Sequence, residues 1–246
     1  MNEDFGIVIQ ARTGSSRLPC KVLLPVVCDN KTFIQYQYDR LLNSGYKIVY
    51  AIPENIENIP LKQHLETNKI PFFCGSESDV LGRYYQCALS LQFKNIIRIT
   101  SDCPLIDLTI LDKMICNFNE GSYDYYSNTT PLENSTFPDG SDIEIFSFKS
   151  LEKAHIEESS KKYREHVTFQ FWRTNKYKSG TYRNKDNLSN FRYTLDHFSD
   201  FLVINSIASY LQKKQMIGTV EQVCEYLSSN QEIFNLNKNH YAGENW

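Results

Sequence analysis

The first half of the chain alternates between short apolar runs and amphipathic segments, and this alternation constrains the fold more than any other feature. Short apolar or aromatic runs, the first of them rich in β-branched residues, predict strands at residues 5–10, 47–52, 71–74, 95–100 and 123–127. Apolar side chains at helical spacing predict helices at 32–43, 59–68, 79–91 and 108–118, with Thr32, Asp79 and Asp107 as N-caps. This alternation is typical of an α/β fold, with helices on both faces of a largely parallel sheet. Ligands of such sheets bind at the carboxyl ends of the strands.

The second half of the chain is less regular. It predicts a loop at 129–140, strands at 141–146, 177–183 and 192–195, and helices at 151–159, 161–174, 198–214 and 220–228. The sequence contains no repeat, low-complexity tract or clear linker. We therefore expect a single domain over residues 1–246, with an insertion around 129–190.

Composition and charge exclude several classes of protein. The 246 residues carry 26 Lys+Arg against 29 Asp+Glu, a formal net charge of −3, which argues against a general nucleic-acid binder. A hydrophobic fraction of 41% argues against disorder, and no apolar run is long enough for a membrane span. The acidic start MNED is unlike a secretory signal, and seven cysteines without a CxxC pair favour reduced thiols. We therefore expect a cytoplasmic protein without a nucleic-acid or membrane partner.

A basic, glycine-containing loop follows the first predicted strand. Arg12, Arg17 and Lys21 place three cations within ten residues, and Gly14 and Ser15 allow a sharp turn that points backbone N–H groups at an anion. A triphosphate requires both amide donors and localised positive charge. The loop matches neither the P-loop nor GxGxxG, and an ordinary solvated turn is the alternative interpretation. Its position after a strand favours the phosphate site.

Two aspartates follow predicted strands and are candidate metal ligands. Asp102 comes after the strand at 95–100, and Asp196 comes after 192–195. The carboxyl ends of the strands would bring the two together, and two carboxylates that meet a triphosphate form a typical magnesium site. The alternative is a cap or a favourable charge at a helix N-terminus, a role that Asp107 and Asp200 also fit.

Two further clusters are candidates for acceptor binding. Asp142 and Glu144 alternate with isoleucines, so both carboxylates face one side of a strand. A solvent-facing sheet edge also explains that pattern. Arg164, Glu165 and His166 are adjacent on a predicted helix and fan out around its axis, so they cannot form a compact triad. One of them would reach a substrate, while a hydrogen-bonded structural histidine is the alternative for His166.

Six motifs in order resemble the cytidylyltransferases related to spore-coat polysaccharide biosynthesis proteins, which are similar to CMP-Kdo and CMP-sialic acid synthetases. The motifs are IQARTGSSRLPCKVL, GSESDVLGRYYQCA, RITSDCPLID, FPDGSDIEIF, REHVT and RYTLD. They span residues 5–200. The resemblance implies a Rossmann-like, mostly parallel (mixed) sheet of the nucleotide-diphospho-sugar transferase type. It also implies transfer of CMP from CTP to a sugar acid or related acceptor, with release of pyrophosphate.

The resemblance also implies roles for individual residues. Arg12, Lys21 and Asp102 would be catalytic, and Asp102 and Asp196 would hold Mg²⁺. The nucleotide would bind Ala11, Arg12, Thr13, Gly14, Ser15, Arg17, Lys21, Gly75, Asp79, Val80, Arg83 and Ser101. The acceptor would meet Asp142, Glu144, Arg164, Glu165 and His166. The insertion at 129–190 would bind the acceptor and support a homodimer.

The sequence departs from the family pattern at three positions. Cys20 and Ser101 stand where the family usually has glycine, and Asp196 lies in Thr-Leu-Asp rather than Val-Asp-Thr. Two other functions remain open. A nucleotide-sugar-dependent glycosyltransferase would show Asp-x-Asp after a strand, which Asp142-Ile-Glu144 matches imperfectly. A non-catalytic nucleotide-binding module would keep the fold without the chemistry.

Overall fold

The centre of the molecule, a computed structural model that describes residues 4–240, is a seven-stranded mixed sheet. The strands are β1 (Phe5–Gln10), β2 (Pro25–Val26), β3 (Lys31–Thr32), β4 (Lys47–Pro53), β5 (Phe72–Gly75), β6 (Asn95–Thr100), β7 (Tyr125–Ser127), β8 (Glu144–Ser147) and β9 (Ser179–Thr181). The order in the sheet is β5-β4-β1-β6-β8-β7-β9, and β2 and β3 form a separate ribbon. Only β8 runs against its neighbours, so the predicted mostly parallel sheet is confirmed.

Ten α-helices surround the sheet within the described residues. They are α1 (Phe33–Leu42), α2 (Ile59–Thr67), α3 (Val80–Ser90), α4 (Leu108–Gly121), α5 (Phe148–Glu157), α6 (Lys161–His166), α7 (Phe169–Arg173), α8 (Phe198–Lys214), α9 (Val220–Ser229) and α10 (Gln231–Asn235). The predicted N-caps of α1, α3 and α4 are confirmed, since each side chain accepts a first-turn amide. None of the helices in residues 4–240 has the length and apolar character to cross a membrane.

Helices cover both faces of the sheet because its central strands are apolar on both sides. In β1, Ile7 and Ile9 face a core that includes side chains of α1, α2, α4, α8 and α9. Val8 faces the opposite core, which includes side chains of α3 and α5. Successive side chains of a strand point to opposite faces, so a continuous apolar run such as FGIVIQ is buried on both.

The strand order creates a crevice between the ends of β1 and β6. From β1 the chain runs outward to β4 and β5, then returns to β6 on the other side of β1. Ligands of open α/β sheets bind at such a reversal, outside the carboxyl ends of the strands. The loop that follows β1 and the segment that follows β6 therefore meet at the best-placed crevice of the fold.

Several predicted boundaries in the second half are wrong. Residues 192–195 form no strand; Arg192 makes a single bridge with Asp139, in the loop before β8. The strand predicted at 141–146 begins only at Glu144, and that predicted at 177–183 shrinks to β9. The reason in the first case is tertiary: the Leu195 amide donates to the Asp102 carbonyl at 2.8 Å, so the segment pairs with loops rather than with a strand.

The single helix predicted at 161–174 is two short helices, α6 and α7. Val167 lies between them with φ 54° and ψ −59°, and the Thr168 amide donates to the His166 carbonyl at 2.5 Å. This is a γ-turn with a left-handed φ, a rare conformation for a β-branched residue. The β2–β3 ribbon and α10 were not predicted, because their residues carry weak periodicity.

Candidate active site

The loop after β1 is held in shape by Thr13 and a buried asparagine. The Thr13 amide donates to Oδ1 of Asn58 at 2.9 Å, and the Thr13 hydroxyl donates to the Glu57 carbonyl at 2.8 Å. The Thr13 carbonyl accepts from the amides of Ser15 and Cys20, at 2.9 and 3.0 Å. The loop therefore folds back on Thr13 and brings its distal end close to its start.

The other loop residues differ in exposure. Ala11 is buried at the end of β1, while Arg12 and Gly14 are exposed. The Ser15 hydroxyl accepts from the Leu18 amide at 3.3 Å. Ser101 is buried after β6, and its amide donates to the Gln10 carbonyl at 3.1 Å. The two segments therefore adjoin at the crevice.

Cys20 adopts the conformation that glycine favours. Its φ is 53° and its ψ is 25°, in the left-handed region, and it directly precedes Lys21. The family's usual glycine at this position would adopt this conformation without strain. Ser101 has no left-handed φ, so its departure from glycine carries no such strain.

We expect Cys20→Gly to leave the stability unchanged or to raise it by up to about 1.5 kcal/mol. Relief of the left-handed strain is worth about 1–2 kcal/mol, and the extra entropy of glycine in the unfolded chain offsets about 0.5–1 kcal/mol. Cys116→Gly is the matched control, because Cys116 is an exposed helical cysteine in α4. Urea denaturation should show a loss of stability, about 0.3 kcal/mol, for the control alone. Equal losses for both variants would contradict the interpretation.

Lys21 joins the two predicted metal-binding aspartates. Its Nζ donates to Oδ2 of Asp102 at 2.9 Å and to Oδ1 of Asp196 at 2.8 Å. The aspartates are 94 residues apart in the sequence, and the Leu195 amide and Thr194 hydroxyl, at 2.8 and 3.2 Å from the Asp102 carbonyl, bring their segments together. The predicted meeting of Asp102 and Asp196 at one edge of the sheet is confirmed.

The two carboxylates stabilise a buried charge on Lys21. Burial alone would lower the pKa of Lys21, but the charges of Asp102 and Asp196 raise it above its usual value. Burial would likewise raise the pKa of Asp102, and the Lys21 ammonium lowers it to about 2. Lys21 and Asp102 are therefore both charged at neutral pH.

Arginine side chains complete the surroundings of Asp196. Nη2 of Arg17 lies 2.9 Å from Asp196 Oδ1, the oxygen that Lys21 also contacts. Nη2 of Arg192 lies 3.2 Å from Asp196 Oδ2. Two of the cations predicted to bind phosphates, Arg17 and Lys21, therefore lie beside the carboxylates in this structure.

The donor set of this centre suits a divalent magnesium ion. Asp102 Oδ2 and Asp196 Oδ1 contact the same ammonium nitrogen, so they are close enough to share one cation. Carboxylate oxygens are the ligands that Mg²⁺ prefers, and Mg²⁺ is commonly held by one or two carboxylates together with substrate phosphates. No group of three or more His, Cys, Asp or Glu in residues 4–240 has the geometry for a metal ion. The remaining ligands would be phosphate oxygens and water.

The second predicted nucleotide segment lies at the end of β5 and the start of α3. Gly75 ends β5, and a Cβ there would come within 3.0 Å of Arg83 Cγ. Arg83 is 4% exposed and donates to the Ser76 carbonyl, while its Nε has no hydrogen-bond partner among residues 4–240. Burial, with a smaller contribution from the charge of Arg12, lowers the pKa of Arg83. Arg83 therefore lies within electrostatic reach of the basic loop.

Val80, another residue predicted to bind the nucleotide, is buried at the start of α3.

Asp142 lies beside the cluster of Lys21, Asp102 and Asp196. Its Oδ1 accepts from the Thr129 hydroxyl at 2.7 Å, and its Oδ2 accepts from the Gly140 amide at 2.9 Å. Sγ of Cys103 lies 3.8 Å from Asp102 Oδ1 and 3.5 Å from Asp142 Oδ2. Burial is the largest cause of a raised pKa of Asp142. The predicted acceptor residue therefore adjoins the aspartate centre.

Glu144, also predicted to face the acceptor, lies inside the sheet. It is 4% exposed, forms an ion pair with Arg98, and accepts from the Tyr125 hydroxyl at 2.5 Å. Strand β8 lies between β6 and β7, so the alternative of a solvent-facing sheet edge is wrong. The structure buries this carboxylate instead of presenting it to solvent.

The three adjacent residues of α6 diverge, as the helical spacing predicts. Arg164 pairs with Asp79, with nitrogen–oxygen distances of 2.7 and 2.9 Å, and donates to the carbonyls of His155 and Glu158. Glu165 is exposed, and the ring of His166 stacks on Phe169 at 4.2 Å. Arg164 thus ties α6 to the N-terminus of α3 instead of standing free for an acceptor.

A double-mutant cycle of Asp79→Asn and Arg164→Gln measures the coupling free energy between these two side chains. We expect a coupling of about 1 kcal/mol at neutral pH, because the pair is bidentate but partly exposed. Burial raises the pKa of Asp79, but Arg164 and the Gly82 amide lower it overall. The stabilisation is therefore present above the unfolded pKa of about 3.9 and is lost as pH falls through the lower folded value. A coupling near zero at pH 7 in denaturation experiments would contradict this.

The sequence did not reveal two residues that shape the site. Asn58 is 2% exposed and holds Thr13, and Arg192 is 7% exposed and contacts Asp139, Asp196 and Asp200. Asn58 follows β4, so the rule that residues after strands are informative would have flagged it. Arg192 lies in the RYTLD motif, but its partners become apparent only once the chain folds.

Several known proteins resemble this chain in sequence and fold. The sequence profile of the family described as cytidylyltransferase matches residues 6–240. The spore coat polysaccharide biosynthesis protein SpsF of Bacillus subtilis is 31% identical over 173 residues, 67% of this chain and 68% of that protein. A cytidylyltransferase structure from Leptospira borgpetersenii is 31% identical, with a TM-score of 0.86 over 96% of this chain and 98% of that chain.

A more distant structure shares the fold. It is a CMP:2-keto-3-deoxy-manno-octonic acid synthetase complexed with CTP, with a TM-score of 0.61 and 14% identity over 84% of this chain and 99% of that chain. At this identity the likeness concerns the fold alone. The predicted nucleotide-diphospho-sugar transferase fold is confirmed by these structures together.

Proposed function

We propose a reaction for this chain, which belongs to the cytidylyltransferase family and is a nucleotidyltransferase. The protein transfers CMP from CTP to a sugar acid or a related acceptor and releases pyrophosphate. One observation carries the proposal: the ammonium of Lys21 lies between the carboxylates of Asp102 and Asp196 at the carboxyl ends of the sheet. This centre combines an ammonium, which can stabilise charge on phosphate oxygens, with two carboxylates that would hold a metal ion.

The basic loop supplies positive charge and amide donors in this mechanism. An acceptor oxygen attacks the α-phosphorus of CTP, the bond from this phosphorus to the β-phosphate oxygen breaks, and pyrophosphate leaves. Where the acceptor is a hydroxyl, its proton passes to water. Arg12, Ser15, Arg17 and Lys21 would hold the phosphates and stabilise the charge that develops on the leaving group. Asp102 and Asp196 would hold Mg²⁺, which when bound neutralises phosphate charge. Thr13 keeps the loop in shape through Asn58.

We place the acceptor beside Asp142, within or next to the insertion at 129–190. Asp142 adjoins Asp102 through Cys103 and is oriented by Thr129, on the segment after β7. The acceptor class extends from sugar acids to phosphates and phosphonates. SpsF is described as a polysaccharide biosynthesis protein, which supports a role in surface polysaccharide or glycoconjugate biosynthesis.

The test is a pyrophosphate-release screen with CTP, Mg²⁺ and a panel of acceptors. The panel contains nonulosonic acids, other sugar acids, polyol phosphates and phosphonates. We expect turnover with at least one member, and Asp142→Asn should raise the KM of that acceptor more than that of CTP. Turnover with another nucleoside triphosphate but not with CTP would reject the cytidine assignment.

A cytoplasmic homodimer completes the proposal. The insertion at 129–190 would supply the contact between the two subunits. Light scattering at micromolar concentration should give twice the chain mass of 28.7 kDa. A clean monomer would reject the dimer and leave the reaction standing.

A further inference from the structure

We propose that Asp200 and Asn237 act with Arg192 as a positioning relay that fixes the carboxylate of Asp196. Through this relay, the segment after α10 controls the metal-binding centre. The inference rests on the proposed function, because Asp196 is one of the two residues that would hold Mg²⁺. The relay consists of the side chains of Arg192, Asp200 and Asn237, and all three are more than nine-tenths buried.

Arg192 links three carboxylates with one guanidinium group. It pairs with Asp139 through Nη1, and its Nη2 lies 3.2 Å from Asp196 Oδ2. Nε and Nη2 also donate to the two carboxylate oxygens of Asp200, at 3.1 and 3.2 Å. The planar group therefore sets the angle at which Asp196 faces the crevice. The other carboxylate oxygen of Asp196, Oδ1, accepts a hydrogen bond from Lys21.

Asp200 holds Asp196 from a second direction. It is fully buried in the first turn of α8, and its Oδ2 accepts from the amides of Asp196 and His197, at 3.0 and 2.8 Å. Capping of α8 explains the His197 contact alone. The bond to the Asp196 amide and the pair with Arg192 go beyond capping, because they fix the backbone and the side chain of Asp196 at once.

Asn237 brings the end of the described chain into this network. It is 3% exposed, and its Nδ2 donates to Asp200 Oδ1 at 2.7 Å and to the Arg192 carbonyl at 3.2 Å. It occupies the remaining acceptor position of a buried carboxylate. Removal of the amide would leave that oxygen short of a donor and free Asp200 to shift.

Two ring contacts hold the same segment against the site. Phe234 packs edge-on against Phe191 with ring centroids 5.5 Å apart, and His240 stacks on His197 at 3.8 Å. Contacts thus flank Asn237 on both sides. A shift of this segment would therefore move Asn237 and Asp200, and through them Asp196.

The test compares Asn237→Ala with Asn235→Ala in the full-length protein. Asn235 is exposed in α10, two residues from the relay, so its variant should match the wild type within twofold. Asn237→Ala should weaken Mn²⁺ binding in the presence of CTP, measured by electron paramagnetic resonance, by about 10–100-fold, as for other residues that orient metal ligands. The metal concentration for half-maximal pyrophosphate release should rise in parallel, with a smaller change in kcat.

Arg192→Lys is the second variant, in case Asn237→Ala folds poorly. Lysine keeps the charge but cannot hold Asp196 and Asp200 together, so the same loss of Mn²⁺ affinity is expected. Wild-type Mn²⁺ affinity in folded Asn237→Ala or Arg192→Lys, with only a lower melting temperature, would overturn the relay. Absence of Mn²⁺–CTP binding in the wild type would instead reject the proposed function, and with it the relay.

Discussion

Lys21→Met should lower kcat/KM for pyrophosphate release by about 10²–10³-fold, the usual effect of removing a preorganised group that stabilises developing charge. Lys21 is the single cation that contacts both Asp102 and Asp196 within hydrogen-bond distance in the described structure. It also lies at the end of the loop that would hold the phosphates. Methionine keeps the length and apolar stem of the side chain, so the change removes charge with little change in packing.

The same variant should bind Mn²⁺ more tightly in the absence of CTP. The Lys21 ammonium lies between the two carboxylates, at 2.9 and 2.8 Å, and therefore competes with any other cation for them. Its removal leaves two anionic groups close together. Opposite signs for the two effects, lower turnover and higher Mn²⁺ affinity, would distinguish this role from general damage to the fold.

Lys31→Met is the matched control for Lys21→Met. Lys31 lies in β3, with its side chain 40% exposed, and pairs with Asp39 at 2.8 Å on the surface. An exposed pair contributes up to about 1 kcal/mol to stability, so its turnover should remain within twofold of the wild type. Turnover of Lys21→Met within threefold of the wild type would show that the ammonium has no part in the reaction.

Asp102→Asn should also lower kcat/KM by about 10²–10³-fold and raise the Mg²⁺ concentration needed for half-maximal activity. Asparagine has nearly the same shape but lacks the charge that Mg²⁺ prefers. The folded chain should tolerate the change, because Lys21 keeps Asp196 as its partner at 2.8 Å. Pyrophosphate release titrated with Mg²⁺ measures both effects.

Asp112→Asn serves as the control for Asp102→Asn. Asp112 is exposed on α4, away from the crevice, and its variant should behave as the wild type does. An Asp102→Asn protein with wild-type kcat and an unchanged magnesium titration would remove Asp102 from the metal-binding centre. The family membership would be unaffected by that result.

The sequence predicted the parts of the molecule that depend on local pattern. Strands β1 and β6 and helix α8 have the predicted bounds, because continuous apolar runs and a helical apolar stripe leave few alternatives. The meeting of Asp102 and Asp196 was predicted across 94 residues of sequence, although the segment before Asp196 is not the strand from which it was predicted. The rule for strand ends holds for Asp102, which follows β6, whereas Asp196 is brought there by the hydrogen bonds of Thr194 and Leu195 to the Asp102 carbonyl.

Long-range contacts decided what the sequence did not predict. The sequence at 192–195 alternates between polar and apolar residues, as a strand does. Its amides nevertheless donate to the loop carbonyls of Asp102 and Asp139, so the segment has no strand partner. Glu144 follows the expected alternation, but its burial depends on Arg98, a partner 46 residues away. The same holds for Asn237, whose partner Asp200 lies 37 residues away.

Calorimetric titration of the wild-type protein with CTP, with and without Mg²⁺, tests the central claim most directly, because it needs no acceptor. We predict magnesium-dependent binding of CTP, with UTP bound at least about tenfold more weakly, the equivalent of one good hydrogen bond to the base. No magnesium-dependent binding of CTP, or equal binding of UTP and CTP, would contradict the assignment of this crevice to a cytidylyltransferase.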